Sequence, residues 1–95
     1  MLKTILTKGR FKVVQNAHGY IVINTHEGYE QHSHFTSIKG CKRCLMFIEK
    51  GILPVDAWWQ EAVRRLLSPE EFEQLRMKDK QQYYNVNKGV RTHTH

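Results

Sequence analysis

Two β-branched runs around a short turn signal constrain this chain more than any other feature. Phe11-Lys12-Val13-Val14-Gln15 and Tyr20-Ile21-Val22-Ile23-Asn24 flank Asn16-Ala17-His18-Gly19, a turn that ends in glycine, and together they read as a β-hairpin. Lys12 alternates with Phe11 and Val13 in the first arm, whereas the second arm is apolar on both faces from Tyr20 to Ile23, so one side of the hairpin is expected to pack on helices. Leu2 to Thr7 reads as a further short strand, with Gly9 as the turn or bulge before the strand over 10–15. Thr25 to Thr36 is polar and carries Gly28 and three of the six histidines, the composition of a loop or an irregular edge strand.

From Ser37 the pattern is helical. Ser37 is a good N-cap, and Gly51 stands where a left-handed residue closes a helix ending at Lys50. At helical spacing Ile38, Cys41, Cys44, Leu45 and Ile48 gather on a stripe about 120° wide, with Lys39, Lys42, Arg43 and Lys50 nearly opposite. Pro54 breaks the chain, and Asp56 caps a second helix through Leu67 that buries Trp59, Ala62 or Val63, and Leu66. Ser68-Pro69-Glu70-Glu71 is a full start signal for a third helix: N-cap Ser, Pro in the first turn and Glu for a capping box, with Leu67 and Phe72 as hydrophobic staple. After Met77 the apolar periodicity fades. These signals describe an α+β domain over 1–79, an N-terminal antiparallel hairpin or three-stranded sheet packed on two to three helices, followed by a basic polar tail over 80–95 expected to lack fixed structure. Tyr83 and Tyr84 in that tail stand near Lys80, Lys88 and Arg91, a composition suited to stacking bases or docking on a partner.

A chain of 95 residues, 40% hydrophobic, supports one modest core and leaves little for a deep enzyme cleft. Its longest apolar runs, Ile21 to Ile23 and Cys44 to Ile48, are far short of the roughly 18 residues of a spanning helix. The first residues carry no continuous apolar segment and no small-residue cleavage site, so the expectation is an unprocessed cytoplasmic protein with reduced thiols and no membrane partner.

Charge is the most informative bulk property. Fifteen Lys and Arg against nine Asp and Glu leave a net +6, of which residues 1–48 hold +5, 49–79 hold −2 and 80–95 hold +3. Basic flanks around an acidic middle suit a polyanionic partner, because clustered cations gain affinity by displacing counterions from phosphates. The cationic helix face, Lys39, Lys42, Arg43 and Lys50, extended by Arg10 and Lys12 from the hairpin, is the expected contact for nucleic acid or a nucleoprotein. Trp58 is a second candidate. Adjacent helical positions differ by about 100°, so with Trp59 in the core Trp58 is only partly covered, and an exposed Trp serves as a protein-interface anchor.

His32, His34, Cys41 and Cys44 form a potential tetrahedral zinc set within 13 residues. Against it, both cysteines fall on the apolar stripe, where free Cys behaves as a small buried hydrophobe. A hydrolase built on His18, His26, His32 and His34 would need carboxylates or a metal, and Glu27 and Glu30 are the only nearby acids. With no phosphate-cradling glycine loop and no nucleophile elbow, the expectation is a non-enzymatic protein without a cofactor, zinc being the one metal the residues suggest.

The stretch from Gly19-Tyr20-Ile21-Val22-Ile23-Asn24-Thr25 through Ile52-Leu53-Pro54, with Gln82-Tyr83-Tyr84-Asn85-Val86-Asn87-Lys88-Gly89 near the end, resembles small uncharacterised proteins of phages and mobile elements of Gram-positive bacteria. The resemblance implies a class: non-enzymatic proteins that bind nucleic acid or block a host enzyme, anti-CRISPR inhibitors among them. It transfers no binding residue. Three functions follow, in order: a basic binder of nucleic acid or nucleoprotein; a phage-encoded inhibitor that docks on a host protein through Trp58 and the corner between the second and third helices; and a zinc-stabilised module.

Overall fold

The hairpin of the sequence grows into a four-stranded antiparallel sheet of order β1-β2-β3-β4. Its strands are β1 (Lys3–Lys8), β2 (Phe11–Asn16), β3 (Gly19–Asn24) and β4 (His32–Phe35), followed by α1 (Ile38–Lys50) and α2 (Ala57–Leu66). A third helix, α3, occupies 69–78. The computed structural model describes residues 2–26 and 31–78, so the expected tail over 80–95, with Tyr83, Tyr84, Lys88 and Arg91, lies outside the described residues.

Local chemistry accounts for most of these boundaries. Gly9 adopts φ 60° at the first position of the two-residue turn joining β1 to β2, where a hairpin turn matched to strand twist calls for positive φ. The Asn16 carboxamide oxygen accepts from the His18 amide at 2.8 Å and sets the β2–β3 turn. Ser37 caps α1 by accepting from the Gly40 amide at 3.1 Å. Gly51 ends α1 in the left-handed region, its own amide and that of Ile52 returning to the carbonyls of Ile48 and Phe47. The capping box is present in full: the Glu71 amide donates to Ser68 Oγ and the Ser68 amide donates to Glu71 Oε1, each at 3.1 Å.

Strand alternation decides which side of the sheet meets the helices. Phe11 and Val13 of β2, Val22 of β3 and Phe35 of β4 join Cys41, Cys44 and Leu45 of α1, Ala62, Val63 and Leu66 of α2, Leu67, and Leu75 of α3 in one buried cluster. Each Val, Leu or Phe side chain so buried contributes about 1.5–3 kcal/mol of transfer free energy before the entropy of ordering, and Ala62 less. The opposite side carries Lys12, Val14, Ile21, Ile23, His32 and His34, none of them in that cluster.

The fourth strand exceeds the expected two or three and takes the edge-strand alternative of the polar stretch over 25–36, where polar residues seat it. Ser33 is 2% exposed and donates its hydroxyl to the Ala62 carbonyl at 2.7 Å, while Asn24, at 0%, donates to the Leu66 carbonyl at 2.7 Å and accepts from the His26 amide. Two carbonyls of α2 are thereby satisfied by the sheet, and no buried side-chain polar atom among the described residues lacks a partner. No helix among the described residues is long and apolar enough to cross a membrane.

Candidate functional site

Two adjoining features stand out: a cationic face on α1 and an aromatic cleft beside its first turn. Asp56 sets the cleft from one side. Its carboxylate accepts from the amides of Trp58 at 2.8 Å and Trp59 at 3.4 Å, which fixes both tryptophans in the first turn of α2. Trp59 is half-buried and packs face to face with Phe35 (centroids 5.8 Å, interplanar angle 28°) and edge to face with Phe47 (5.9 Å, 65°). Trp58 meets Trp59 and Phe35 edge to face at 5.0 and 5.8 Å and keeps 56% of its surface in solvent.

Across from the tryptophans stand the end of the β2–β3 hairpin and the start of α1. Asn16, His18, Gly19, Tyr20, His34, Phe35, Thr36, Ser37 and Gly40 complete, with Trp58 and Trp59, a cleft of about 400 Å³, within the range of small-ligand sites. Two glycines shape it. A Cβ on Gly19, at φ 146°, would stand 2.7 Å from the Phe35 carbonyl oxygen, so only glycine lets the hairpin end close on β4. A Cβ on Gly40 would stand 3.4 Å from both the Phe35 ring and Ser37 Oγ, at the cleft wall.

The cationic face begins where the cleft ends. Arg43 is one turn beyond Gly40 on α1, and its guanidinium carbon lies 5.2 Å from the Trp59 ring centroid and 5.7 Å from that of Phe47. Lys39, Lys42 and Lys50 are exposed on the same helix. Lys8, Arg10, Arg64, Arg65 and Arg76 all pair with carboxylates, whereas Lys39, Lys42, Arg43 and Lys50 make no ion pair among the described residues.

Arg10 and Lys12 do not extend this face. Arg10 donates to both carboxylate oxygens of Glu71, at 3.2 and 2.6 Å, and is held against α3. Lys12 pairs with Ile23 across β2 and β3 and so projects from the side of the sheet away from the helices. The alternation of Lys12 with Phe11 and Val13 already carried that signal.

Nor does the structure assemble the four zinc candidates. Cys41 and Cys44 are both 0% exposed between α1 and the sheet. His32 and His34 sit exposed on β4, their rings edge to face at 4.9 Å on the other side of the sheet. Among the described residues no three potential ligands cluster. Burial raises the Cys41 thiol to about 11, and burial with the charge of Cys41 raises Cys44 to about 12, so both are protonated at neutral pH and poor nucleophiles.

From the edge strand β4, His34 also borders the cleft; of the remaining histidines, His18 lines it and His26 donates its amide to Asn24. Trp58 and the α1 cations were already candidates from helical spacing. Sequence reasoning missed Tyr20, Phe35, Gly19 and Gly40, which reach the cleft only through tertiary pairing; a glycine in the first turn of an otherwise regular helix was the one available hint. Comparison with protein-family models, curated proteins and solved structures gives no match, so the geometry of this cleft and of the α1 face is what a functional reading rests on.

Proposed function

We propose that this chain is a small non-enzymatic protein that binds nucleic acid, alone or within a nucleoprotein, through the cationic face of α1. The observation that carries the reading is the distribution of ion pairs. Every other arginine among the described residues pairs with a carboxylate; Lys3, Lys12 and Lys78 also make no ion pair there, but Lys39, Lys42, Arg43 and Lys50 are the exposed cations without one that share a single helix. Unpaired surface cations at helical spacing are suited to track a phosphate backbone, where counterion release rewards each contact. The likeness to small phage proteins supplies the setting, the cytoplasm of a host cell.

Salt-dependent binding tests the reading. The protein is expected to bind a fluorescein-labelled oligonucleotide with affinity that falls steeply between 50 and 200 mM salt, a range over which phosphate contacts cost roughly orders of magnitude. Reversing Lys39, Lys42 and Arg43 to Glu is expected to abolish binding while moving the thermal midpoint by only a few degrees, because all three are exposed and the ring contacts of Arg43 are worth about 0.5–1 kcal/mol. Unchanged affinity in that folded triple variant removes this face from consideration.

A second reading has its own observation. Trp58 is 56% exposed, and an exposed Trp is the residue type that most often anchors a protein interface; Ile52 (41%) and Val55 (99%) are further exposed apolar residues on the loop that precedes it. A phage-encoded inhibitor docking on a host protein would bind with little salt dependence and lose binding on Trp58→Ala.

A further inference from the structure

We infer that the cleft between Trp58, Phe35 and Tyr20 is a base-stacking pocket that takes one unstacked nucleobase of a single-stranded nucleic acid, with the adjoining phosphates on Lys39 and Arg43. The inference rests on the nucleic-acid reading above and adds to it a strand preference and a residue that reads bases.

Three observations carry it. First, Trp58 offers an indole that is more than half exposed yet held in place, its amide capped by Asp56 and its ring braced edge to face by Phe35 and Trp59. A fixed aromatic surface loses little entropy when a base stacks on it. Second, the cleft it borders holds about 400 Å³ and is lined by aromatic groups with His18, His34 and Asn16 at its margin, a mixture suited to a flat heteroaromatic ring with polar edges. Third, the charge is placed to match. Lys39 adjoins Gly40 of the cleft wall, and Arg43, one turn on, spans from the cationic face to the Trp59 ring. A base in the cleft therefore brings its own phosphates toward Lys39 and Arg43, which make no ion pair among the described residues. In a duplex the bases are stacked and paired, so a double strand offers the helix its phosphates but nothing for the cleft.

Three probes of equal length separate the contributions: a dT12 strand, the dT12·dA12 duplex, and a twelve-unit abasic strand with the same phosphates and no bases. The expected result is that dT12 quenches tryptophan fluorescence and binds roughly 10-fold or more tighter than the abasic strand. Trp58→Ala is expected to erase that difference without changing the salt dependence, and Trp58→Phe to restore part of it. Equal affinity for dT12 and the abasic strand, or a preference over it that survives Trp58→Ala, overturns the pocket and leaves the cationic face standing. Failure of all three probes to bind overturns both readings and returns Trp58 to a protein partner.

Discussion

Arg10 and Glu71, 61 residues apart in the chain, form a two-pronged ion pair in which both terminal guanidinium nitrogens meet both carboxylate oxygens. Glu71 simultaneously closes the capping box on Ser68. One carboxylate therefore starts α3 and ties it to the β1–β2 turn. It also removes Arg10 from the surface available to a partner. Arg10→Ala is expected to destabilise the protein by about 1 kcal/mol, the pair being partly solvent-screened, and to leave oligonucleotide affinity unchanged. Glu71→Ala removes cap and pair together and should cost about 2 kcal/mol. Denaturant melts alongside a binding titration check both, and a loss of affinity in folded Arg10→Ala would return Arg10 to the interface.

The same pair predicts an acid limb in the stability profile. Hydrogen bonds from Arg10 hold the Glu71 carboxyl below its ordinary value, those from Lys8 do so for Glu49, and Arg64 with Arg65 bring Glu61 down to about 2. A carboxyl depressed by folding stabilises the native state above its unfolded value and loses that contribution as pH falls through the folded one. The thermal midpoint should thus hold steady from neutrality to roughly pH 4.3 and fall below it, down to about pH 2. Arg10→Ala should make the acid limb shallower. A midpoint insensitive to pH between about 4 and 2 would show that these pairs add nothing to folding.

The thiols give an independent check on the core. With both Cys41 and Cys44 fully buried and shifted to about 11 and 12, neither is nucleophilic at pH 8 in the folded state. A disulfide reagent is expected to modify both at a rate set by opening of the domain, and rapidly in denaturant. Fast reaction of the native protein would place α1 differently against the sheet.

How far the sequence led depends on whether a signal was local. The β2–β3 hairpin, the Ser37 and Asp56 caps, the Gly51 stop and the Ser68–Glu71 box were all legible, because each is written within a few neighbouring residues. The strand β4 was legible only as one of two alternatives, a loop or an irregular edge strand, since His32-Ser33-His34-Phe35 holds a single apolar residue and its alternation is completed by Ser33, buried through the Ala62 carbonyl it meets 29 residues later. Asn24 hides in the same way beneath Leu66. The candidate site divides along the same line. Trp58 and the α1 cations follow from helical spacing, but Tyr20 and Phe35 become cleft walls only when β3 pairs with β4 in a register that sets them side by side.

Gly19 marks where that register leaves no tolerance. Its φ of 146° and the 2.7 Å approach of a Cβ to the Phe35 carbonyl mean that Gly19→Ala meets both backbone strain and a clash with main chain. The variant is expected to lose about 1–3 kcal/mol of stability. Because the end of β4 must move to accommodate it, oligonucleotide affinity is expected to fall in the folded fraction as well. Calorimetry together with titration at a temperature where the variant is folded tests the pair of effects, and a variant as stable as the parent would refute the close approach.

Gly40 provides the converse case, in which stability and binding are expected to move in opposite directions. It lies in the first turn of α1, where Ala is favoured over Gly by about 0.5–1 kcal/mol. The added Cβ meets Phe35 and Ser37 Oγ at 3.4 Å, a contact the helix can hold without displacing backbone. On folding alone, then, Gly40→Ala raises the thermal midpoint. The same methyl group intrudes on the wall of the aromatic cleft, so affinity for dT12 should drop toward that for the abasic strand while the salt dependence set by Lys39, Lys42 and Arg43 stays as it was. A more stable variant with weaker, equally salt-sensitive binding would mark Gly40 as a residue that holds the cleft open for a ligand at the expense of its helix. A stabilised variant with undiminished dT12 preference would mean that the base, wherever it stacks, does not enter between α1 and Trp58.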